Sequence, residues 1–329
     1  MSVALLTVVV VGLTSCRSSA PSAGALPLRT VAELALPGSA SRFDYQDIDP
    51  TTNRLFIAHL GASQIDVVDL TTTTVVATIP DITSVHGVRV APDLGRLYAS
   101  ATGDNTVVTI DTHTLAILAR APTGLFPDGL AYDPETKKVF VSNEEDHVET
   151  VLDATTGQPV GNTDIGGEAG NTATDMTGNQ VLVDVQTAND IAIIDPATVQ
   201  ITGRIALPGC QHDHGLYIDS PHQLAFVACD DNNVLLTLDL TTRTITGTYP
   251  VGDNPDVLAF DPHRARLYVA AESGVLAVFD ESGRTVRPVS RALYAPHAHT
   301  IAVDSETSRV YLPLENDRGS PHLRVGDPT

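Results

Sequence analysis

From residue 28 onward, apolar and polar residues alternate in short runs that are rich in valine, isoleucine and threonine. Turn-forming residues interrupt these runs every eight to twelve residues or so. Alternation with a period of two, β-branched side chains and frequent turns are typical of antiparallel strands. Since no segment shows a convincing helical period, we predict an all-β protein.

The strand pattern repeats with a period of about 42 residues, as segments 86–100 (HGVRVAPDLGRLYAS), 128–142 (DGLAYDPETKKVFVS) and 256–270 (DVLAFDPHRARLYVA) show. One column of the alignment is a turn residue after a short apolar strand: Asp49, Ala91, Asp133, Met176, Asp219, Asp261 and Asp304. A second column is a large apolar residue, which we expect in the core: Phe56, Tyr98, Phe140, Leu182, Phe226, Tyr268 and Tyr311. We therefore predict that each repeat forms four strands and that one equivalent position in every repeat lies in the core.

A repeat of four strands that occurs seven times predicts a seven-bladed β-propeller of four-stranded antiparallel blades. The last repeat stops after its third strand, whereas segment 28–38 (LRTVAELALPG) matches the fourth-strand pattern of 200–209 (QITGRIALPG). We expect this N-terminal strand to complete the last blade, because pairing the two chain ends removes an exposed strand edge. Residues 28–329 would then form a single domain.

The segment 127–157 (PDGLAYDPETKKVFVSNEEDHVETVLDATTG) resembles the YVTN-type repeats of the YncE-like family of seven-bladed propellers. This resemblance implies an exported bacterial protein. It implies little about chemistry, because members of one fold family need not share a reaction.

Residues 1–16 (MSVALLTVVVVGLTSC) form an apolar run that is too short to span a bilayer and ends in a segment that resembles a lipobox. That resemblance implies a lipoprotein signal peptide, lipidation of Cys16 and attachment at the outer face of the bacterial cell membrane, extracellular or periplasmic. No Lys or Arg precedes the run, so a different start, or a segment that is not a signal, stays open. Residues 17–27 (RSSAPSAGALP) have the composition of a flexible tether.

The chain is strongly acidic, with 19 lysines and arginines against 40 aspartates and glutamates and a formal net charge of −21. Such a surface repels phosphate backbones and attracts cations, so nucleic acid is excluded as a partner. We expect a monomer that binds a cation, a small ligand or a protein and meets the membrane only through its lipid anchor.

One further column lies five residues before each turn residue, where the innermost strand of a blade begins. It contains only polar residues: Asp44, His86, Asp128, Asn171, His214, Asp256 and His299. Three histidines occur in these seven positions, where 11 histidines in 329 residues predict about 0.23 by chance. We predict that His86, His214 and His299 bind a metal ion such as Zn, Cu, Mn or Fe. The alternative is that these groups cap strand ends or hold water.

Loops that open on the same face add further polar groups. The complete set of expected ligand-binding residues is Asp44, His59, Asn171, His212, His297, Asp230, Glu272 and Glu315. The favoured function is a non-catalytic, cell-surface binding propeller. The alternative is a metal-dependent hydrolase, lactonase-like, or a lyase, in which Asp128, Asp256 or Glu144 serves as general base.

Besides Cys16 the chain contains two cysteines, Cys210 in the loop that enters blade five and Cys229 at the end of that blade's second strand. Both positions lie on the ligand-facing side. An oxidising compartment favours a disulfide bond between them. A copper site with His212 and His214 is the alternative.

Overall fold

The computed structural model describes residues 25–329 of the chain. The predicted signal peptide with Cys16, and residues 17–24 of the predicted tether, lie outside the described residues. Residues 25–27 lie beside the end of the last strand, where the backbone N–H of Thr329 donates to the carbonyl oxygen of Pro27 at 3.0 Å.

The described residues contain 28 strands, arranged in seven antiparallel sheets of four strands each. Strand β1 (Leu28–Ala35) comes first in the chain. Blade one contains β2 (Gln46–Asp49), β3 (Arg54–His59), β4 (Gln64–Asp69) and β5 (Thr74–Ile79). Blade two contains β6 (Val85–Ala91), β7 (Arg96–Ala101), β8 (Thr106–Asp111) and β9 (Ile117–Pro122). Blade three contains β10 (Pro127–Asp133), β11 (Lys138–Asn143), β12 (Val148–Asp153) and β13 (Gln158–Asp164).

The remaining blades follow the same order. Blade four contains β14 (Ala169–Asp175), β15 (Gln180–Val185), β16 (Asp190–Asp195) and β17 (Gln200–Ala206). Blade five contains β18 (Asp213–Asp219), β19 (Leu224–Cys229), β20 (Val234–Asp239) and β21 (Thr244–Pro250). Blade six contains β22 (Pro255–Asp261), β23 (Arg266–Ala271), β24 (Val275–Ser282) and β25 (Thr285–Leu293). Blade seven contains β26 (Ala302–Val303), β27 (Val310–Asp317) and β28 (Ser320–Pro328).

Strand β1 completes blade seven, where the strand order is β1-β28-β27-β26. It pairs antiparallel with β28, from Leu28 opposite Pro328 to Ala35 opposite His322. The predicted seven-bladed propeller and its closure by the N-terminal strand are thus confirmed. Strand β28 is thereby paired on both sides, and β1 takes the outermost position that the fourth strand occupies in the other blades.

The core lies between the blades. All seven residues of the predicted core column are buried, with exposures of 2% or less. Tyr311 and Leu323 of blade seven pack in one cluster with Leu55 and Val68 of blade one, so the ring is also closed by side-chain packing. The first strands of adjacent blades lie next to one another around the axis. Each blade therefore buries its faces against its neighbours, as a propeller requires.

The register predicted for blade four was wrong by one residue. Strand β14 ends at Asp175, which pairs with Gln180 and accepts a hydrogen bond from the N–H of Thr177 at 3.2 Å. Asp175, not Met176, is therefore the turn residue. The position five residues before it is Gly170, so Asn171 lies one step further along the innermost strand. The sequence carried the signal, because the turn residue precedes the large core residue by seven positions in every other blade, as Asp175 precedes Leu182.

Helical structure in residues 25–329 is restricted to three single 3₁₀ turns, Leu60–Ala62, Pro92–Leu94 and Thr102–Asp104. Within the same range no helix has the length and apolar character to cross a membrane.

Candidate functional site

The innermost strand of five blades has an irregular register at the position of the predicted polar column. The shift lies between Val85 and Val88 in blade two and between Pro255 and Leu258 in blade six, and blades three, four and five repeat it. A bulge of this kind bends the strand and turns a side chain out of the regular alternation. It allows these residues to face the channel mouth, which is the end of the central channel where the innermost strands begin.

Glycine follows the polar position in several blades because the neighbouring blade is very close. A Cβ atom on Gly87 would lie 2.2 Å from the carbonyl oxygen of Asp128, and one on Gly215 would lie 2.2 Å from that of Asp256. No real side chain tolerates such contacts. The glycines therefore hold adjacent polar residues of the ring close together.

The first group of side chains at the mouth consists of Asp128, Glu144 and His214, whose donor atoms lie within 4.8 Å of one another. Asp128 is 4% exposed, and its Oδ1 atom is buried with no hydrogen-bond partner among residues 25–329. His214 Nδ1 lies 3.2 Å from Gln186 Oε1, and its Nε2 lies 3.4 Å from Asp256 Oδ1. Gln186 is a residue that the sequence analysis missed, and its amide orients the imidazole ring.

Each charge in this group affects the pKa of the other members. Burial and the charge of Asp128 raise the pKa of Glu144 to about 9. Burial disfavours the imidazolium form of His214, but its hydrogen bond to Asp256 and the surrounding carboxylates raise its pKa well above the ordinary value. Excess negative charge in a buried space thus takes up protons, and a cation would meet the same demand.

The second group consists of Asp44, Asp256 and His299, which are all buried and have donor atoms within 4.8 Å of one another. His299 Nδ1 lies 3.0 Å from the carbonyl oxygen of His297, and its Nε2 is buried with no hydrogen-bond partner in the part of the chain that the structure describes. The Arg42 guanidinium lies 3.6 Å from Asp44 and 3.9 Å from Asp256. This arginine, which the sequence analysis also missed, supplies a permanent positive charge that the first group lacks.

The pKa values of the two aspartates shift in opposite directions. Burial and the charges of Asp128 and Asp256 raise the pKa of Asp44 to about 7. Burial also acts on Asp256, but its hydrogen bond and charge interaction with His214, together with His299 and Arg42, lower its pKa to about 2. The second group is therefore an ion network with its own cation.

The three predicted histidine ligands do not share one site. Within residues 25–329, no group of three donor atoms within 4.8 Å combines His86, His214 and His299. His86 is half-buried, its Nδ1 donates to the carbonyl oxygen of Ser84 at 2.8 Å, and its ring lies 5.3 Å from that of Phe126. The structure instead gives each of the other two histidines a pair of carboxylates.

Tyr45 closes the channel beneath the ring, another feature that the sequence analysis missed. The side-chain amide of Asn171 donates to its hydroxyl at 2.7 Å, and the same hydroxyl lies 3.4 Å from Asp256 Oδ1 and 3.5 Å from His214 Nε2. A cavity of about 300 Å³, lined by Tyr45 and Asn171 among others, lies below it. Tyr45 occupies the position that is glycine in blades two, three and five, which was the available signal.

The loop residues have different surroundings. His59 is fully buried, with Nδ1 at 3.2 Å from Asp66, Nε2 at 3.2 Å from Ser41 and its ring stacked on Phe43. Both of its nitrogens are occupied, so its role is structural, which differs from the predicted ligand role.

The other predicted loop ligands stay near the mouth. His212 Nδ1 lies 3.9 Å from Asp230 Oδ2, and Glu272 lies 3.6 Å from His299 Nδ1 and forms an ion pair with Arg42. His297 is exposed and Glu315 is partly exposed.

Cys210 and Cys229 form a disulfide bond, with their Cα atoms 5.3 Å apart. The bond joins the loop before β18 to the end of β19. Because both sulfur atoms are engaged, the thiolates required by the alternative copper site are absent from this structure.

Comparison with known proteins identifies the fold and a family. A family model described as "Choice-of-anchor I domain" matches residues 44–254, nearly two thirds of the chain. No curated protein matches the chain. The family description indicates a cell-surface or exported protein.

Solved structures support the fold alone. A chain of Kuenenia stuttgartiensis hydrazine synthase is 15% identical, with a TM-score of 0.74, over 90% of this chain and 97% of that chain. A chain from a crystal structure of the mitotic checkpoint complex is 12% identical, with a TM-score of 0.76, over 98% of both chains. At such low identity the likeness carries no information on activity.

Proposed function

The chain belongs to the choice-of-anchor I domain family, and from that premise we propose that it is an exported binding propeller that holds a divalent metal ion at its channel mouth. The ion, or a ligand held by the ion, is bound by Asp128, Glu144 and His214. Lipidation of Cys16 attaches the protein to the outer face of the membrane. The resemblance to YncE-like propellers is in keeping with export, but the proposal does not depend on it.

The observation that carries the proposal is the first group of side chains, in which Asp128 is buried and Glu144 and His214 are partly exposed. Three donor atoms from Asp128, Glu144 and His214 lie within 4.8 Å of one another, and Asp128 Oδ1 has no hydrogen-bond partner among the described residues. In residues 25–329 no lysine or arginine forms an ion pair with Asp128 or Glu144, in contrast to the second group with its Arg42. A buried, unpaired carboxylate is costly unless a cation or a proton compensates it.

The donor set matches a borderline metal ion. One imidazole nitrogen and two carboxylate oxygens suit Zn²⁺ or Mn²⁺, with solvent or ligand oxygen in the remaining positions. The hydrogen bond between His214 Nδ1 and Gln186 fixes the ring and leaves Nε2, which lies 3.4 Å from Asp256 Oδ1, as the nitrogen available to an ion. An ion can bind only when it displaces the protons that this group takes up. The affinity for the ion should therefore rise as the pH rises and those protons are released.

The alternative of a metal-dependent hydrolase or lyase is less well supported. A general base works best with a pKa near the operating pH. The pKa of Glu144 is raised to about 9 by burial and Asp128, whereas that of Asp256 is lowered to about 2, against its burial, by His214, His299 and Arg42. Asp128 and Glu144 are ligands in the proposed site and Asp256 is paired with His214 and Arg42, so no candidate base is left free and we favour binding over catalysis.

Metal content and affinity test the proposal. Protein purified without chelator is analysed for metals, and metal-free protein is titrated with Zn²⁺ by calorimetry. We expect one equivalent to be lost, or its binding to be weakened at least about tenfold, in His214→Ala and Asp128→Asn, because even loss of a residue that only orients a metal ligand costs about 10–100-fold in affinity. His113→Ala, at an exposed turn of the opposite face, serves as the matched control. Identical titrations of the native protein and both mouth variants would overturn the proposal.

A further inference from the structure

A second cluster of ligating side chains lies at the opposite end of β18 from His214. Asp219 ends that strand, His222 lies in the turn that follows, and Glu281 comes from β24 of the next blade. His222 Nδ1 lies 2.7 Å from Asp219 Oδ2 and 2.9 Å from Glu281 Oε1. We refer to these three residues as the blade-junction cluster.

Glu281 occupies a place that other blades fill with residues of a different kind. The equivalent residues, which directly follow the last aspartate of the third strand, are Leu70, Thr112, Ala154, Pro196 and Leu240. The equivalence is structural, because Glu281 N donates to the carbonyl oxygen of Ala265 just as Leu70 N donates to that of Asn53. A carboxylate therefore stands where five blades place a buried apolar side chain or a threonine.

Comparison with blades one and two shows what the carboxylate of Glu281 requires at this place. There the equivalent residue is Thr112, whose hydroxyl group lowers the pKa of Asp49, the turn aspartate of the preceding blade, although burial acts in the opposite direction. At the blade-junction cluster, Glu281 faces Asp219 in the same way, but one acceptor now faces another. A positive charge or a proton must lie between the two carboxylates, and in this structure His222 Nδ1 is the group between them.

Asp219 also differs from the other turn aspartates in its backbone hydrogen bonding. In five other blades this carboxylate accepts the backbone N–H two residues later, from Thr51, Glu135, Thr177, His263 and Glu306. In blade five that residue is Pro221, which has no N–H to donate. The carboxylate of Asp219 is left with His222 as its hydrogen-bond donor.

An independent observation points to a ligand. The side chain of Glu281 is only 1% exposed, yet within residues 25–329 neither of its oxygens accepts a hydrogen bond, and the His222 Nδ1 contact at 2.9 Å is an ion-pair contact alone. Among residues 25–329 no lysine or arginine forms an ion pair with Asp219 or Glu281. Burial and the charge of Asp219 raise the pKa of Glu281 to about 7. His222, in contrast, is 48% exposed and leaves a path from solvent.

We infer that the blade-junction cluster is a second metal site, in which Asp219, His222 and Glu281 bind Zn²⁺ and so link blades five and six. Three protein ligands and solvent make up a tetrahedral shell, and such a shell with bonds of about 2 Å separates neighbouring donors by about 3.3 Å. The observed 2.7 and 2.9 Å separations need only a small opening of the cluster to reach it. This site is independent of the channel mouth.

The test uses a background in which the mouth is disabled, so that the two proposals fail separately. Metal-free His214→Ala protein is titrated with Zn²⁺ alone, and its thermal midpoint is measured with and without the ion. We expect one equivalent to bind and the midpoint to rise by several degrees. Adding His222→Ala should abolish both effects.

Two further variants guard against a loss of folding. Glu281→Leu installs the residue found in blades one and five, and Glu281→Gln keeps the volume. Both should fold, as judged by circular dichroism, and weaken Zn²⁺ binding at least about tenfold. If the His214→Ala protein takes up no zinc, or takes up equal amounts with and without His222, the cluster is only an ion triad and the inference is overturned.

Discussion

Glu149 offers the sharpest test of the electrostatics inside a blade. It lies in β12 opposite Ser142, it is fully buried, and its Oε1 has no hydrogen-bond partner in the described part of the chain. The Ser142 hydroxyl donates to Oε2 at 3.2 Å. Burial raises the pKa of Glu149 from 4.5 to about 8. We predict that Glu149→Gln, which has the same shape but cannot ionise, removes a pH dependence from the stability of the protein.

The sign follows from proton counts. Between pH 4.5 and about 8 the folded protein keeps the proton on Glu149 and the unfolded chain does not. Because the folded state then binds more protons, the free energy of unfolding falls as the pH rises through this interval. An interval of about 3.5 pH units corresponds to a ceiling of ~5 kcal/mol. Relaxation and water entry reduce it, so we expect a loss of about 1–5 kcal/mol.

Urea unfolding at pH 5 and pH 8.5 measures the effect. The relevant quantity is the difference in free energy of unfolding between the native protein and Glu149→Gln, since other titrating groups are common to both. This difference should shift in favour of the variant at pH 8.5. Glu145→Gln, at an exposed position of the same hairpin, should show no such shift. Parallel profiles of native protein and Glu149→Gln, within about 0.5 kcal/mol, would refute the reasoning.

Three further predictions concern the fold. Replacing both Cys210 and Cys229 by serine frees a loop closed over a sequence separation of 19 and should lower the urea-unfolding free energy by ~3 kcal/mol; no change would show that the bond contributes nothing. Gly87→Ala, whose Cβ would lie 2.2 Å from the Asp128 carbonyl oxygen, should lower the free energy of unfolding by about 1–3 kcal/mol in the same assay. Gly161→Ala, with an ordinary 3.6 Å contact, should leave it unchanged. Equal effects of the two variants would contradict the close packing at Gly87. Deletion of β1 exposes the edge of β28 and should produce oligomers by size-exclusion chromatography, and a stable monomer would argue against closure by this strand.

Much of the architecture could be predicted because it depends on local pattern repeated at long range. Alternation sets which face of each strand is buried, and the spacing from Asp49 to Phe56 recurs in every blade. The match of segment 28–38 to a fourth strand predicted the closure of the ring. The same regularity, applied too loosely in blade four, produced the mistaken assignment of Asn171.

The candidate site was predicted less completely. The ring positions reach the mouth, but pairing within the ring depends on side-chain direction and on neighbours from other blades. Arg42 lies two residues before the polar ring position, as His212 and His297 do in their blades. Gln186 lies four residues after the core residue, as Glu144 and Asp230 do. The columns marked both positions, but only the structure shows that Arg42 compensates the second group and that Gln186 orients His214. The contact of Glu281 with Asp219 and His222 could not be predicted, because these partners lie about sixty residues earlier in the chain.

The sequence by itself determined the number of blades, the strands, the closure of the ring and the set of polar residues at one end of the channel. These features follow from periodicity, which a linear chain displays directly. Tertiary structure alone decided which histidine meets which carboxylates, that His59 is a packed core residue, and that Asp219 and Glu281 face each other across a blade boundary. The reason is physical: charge compensation acts over a few ångströms in space, and separation along the chain does not determine that distance.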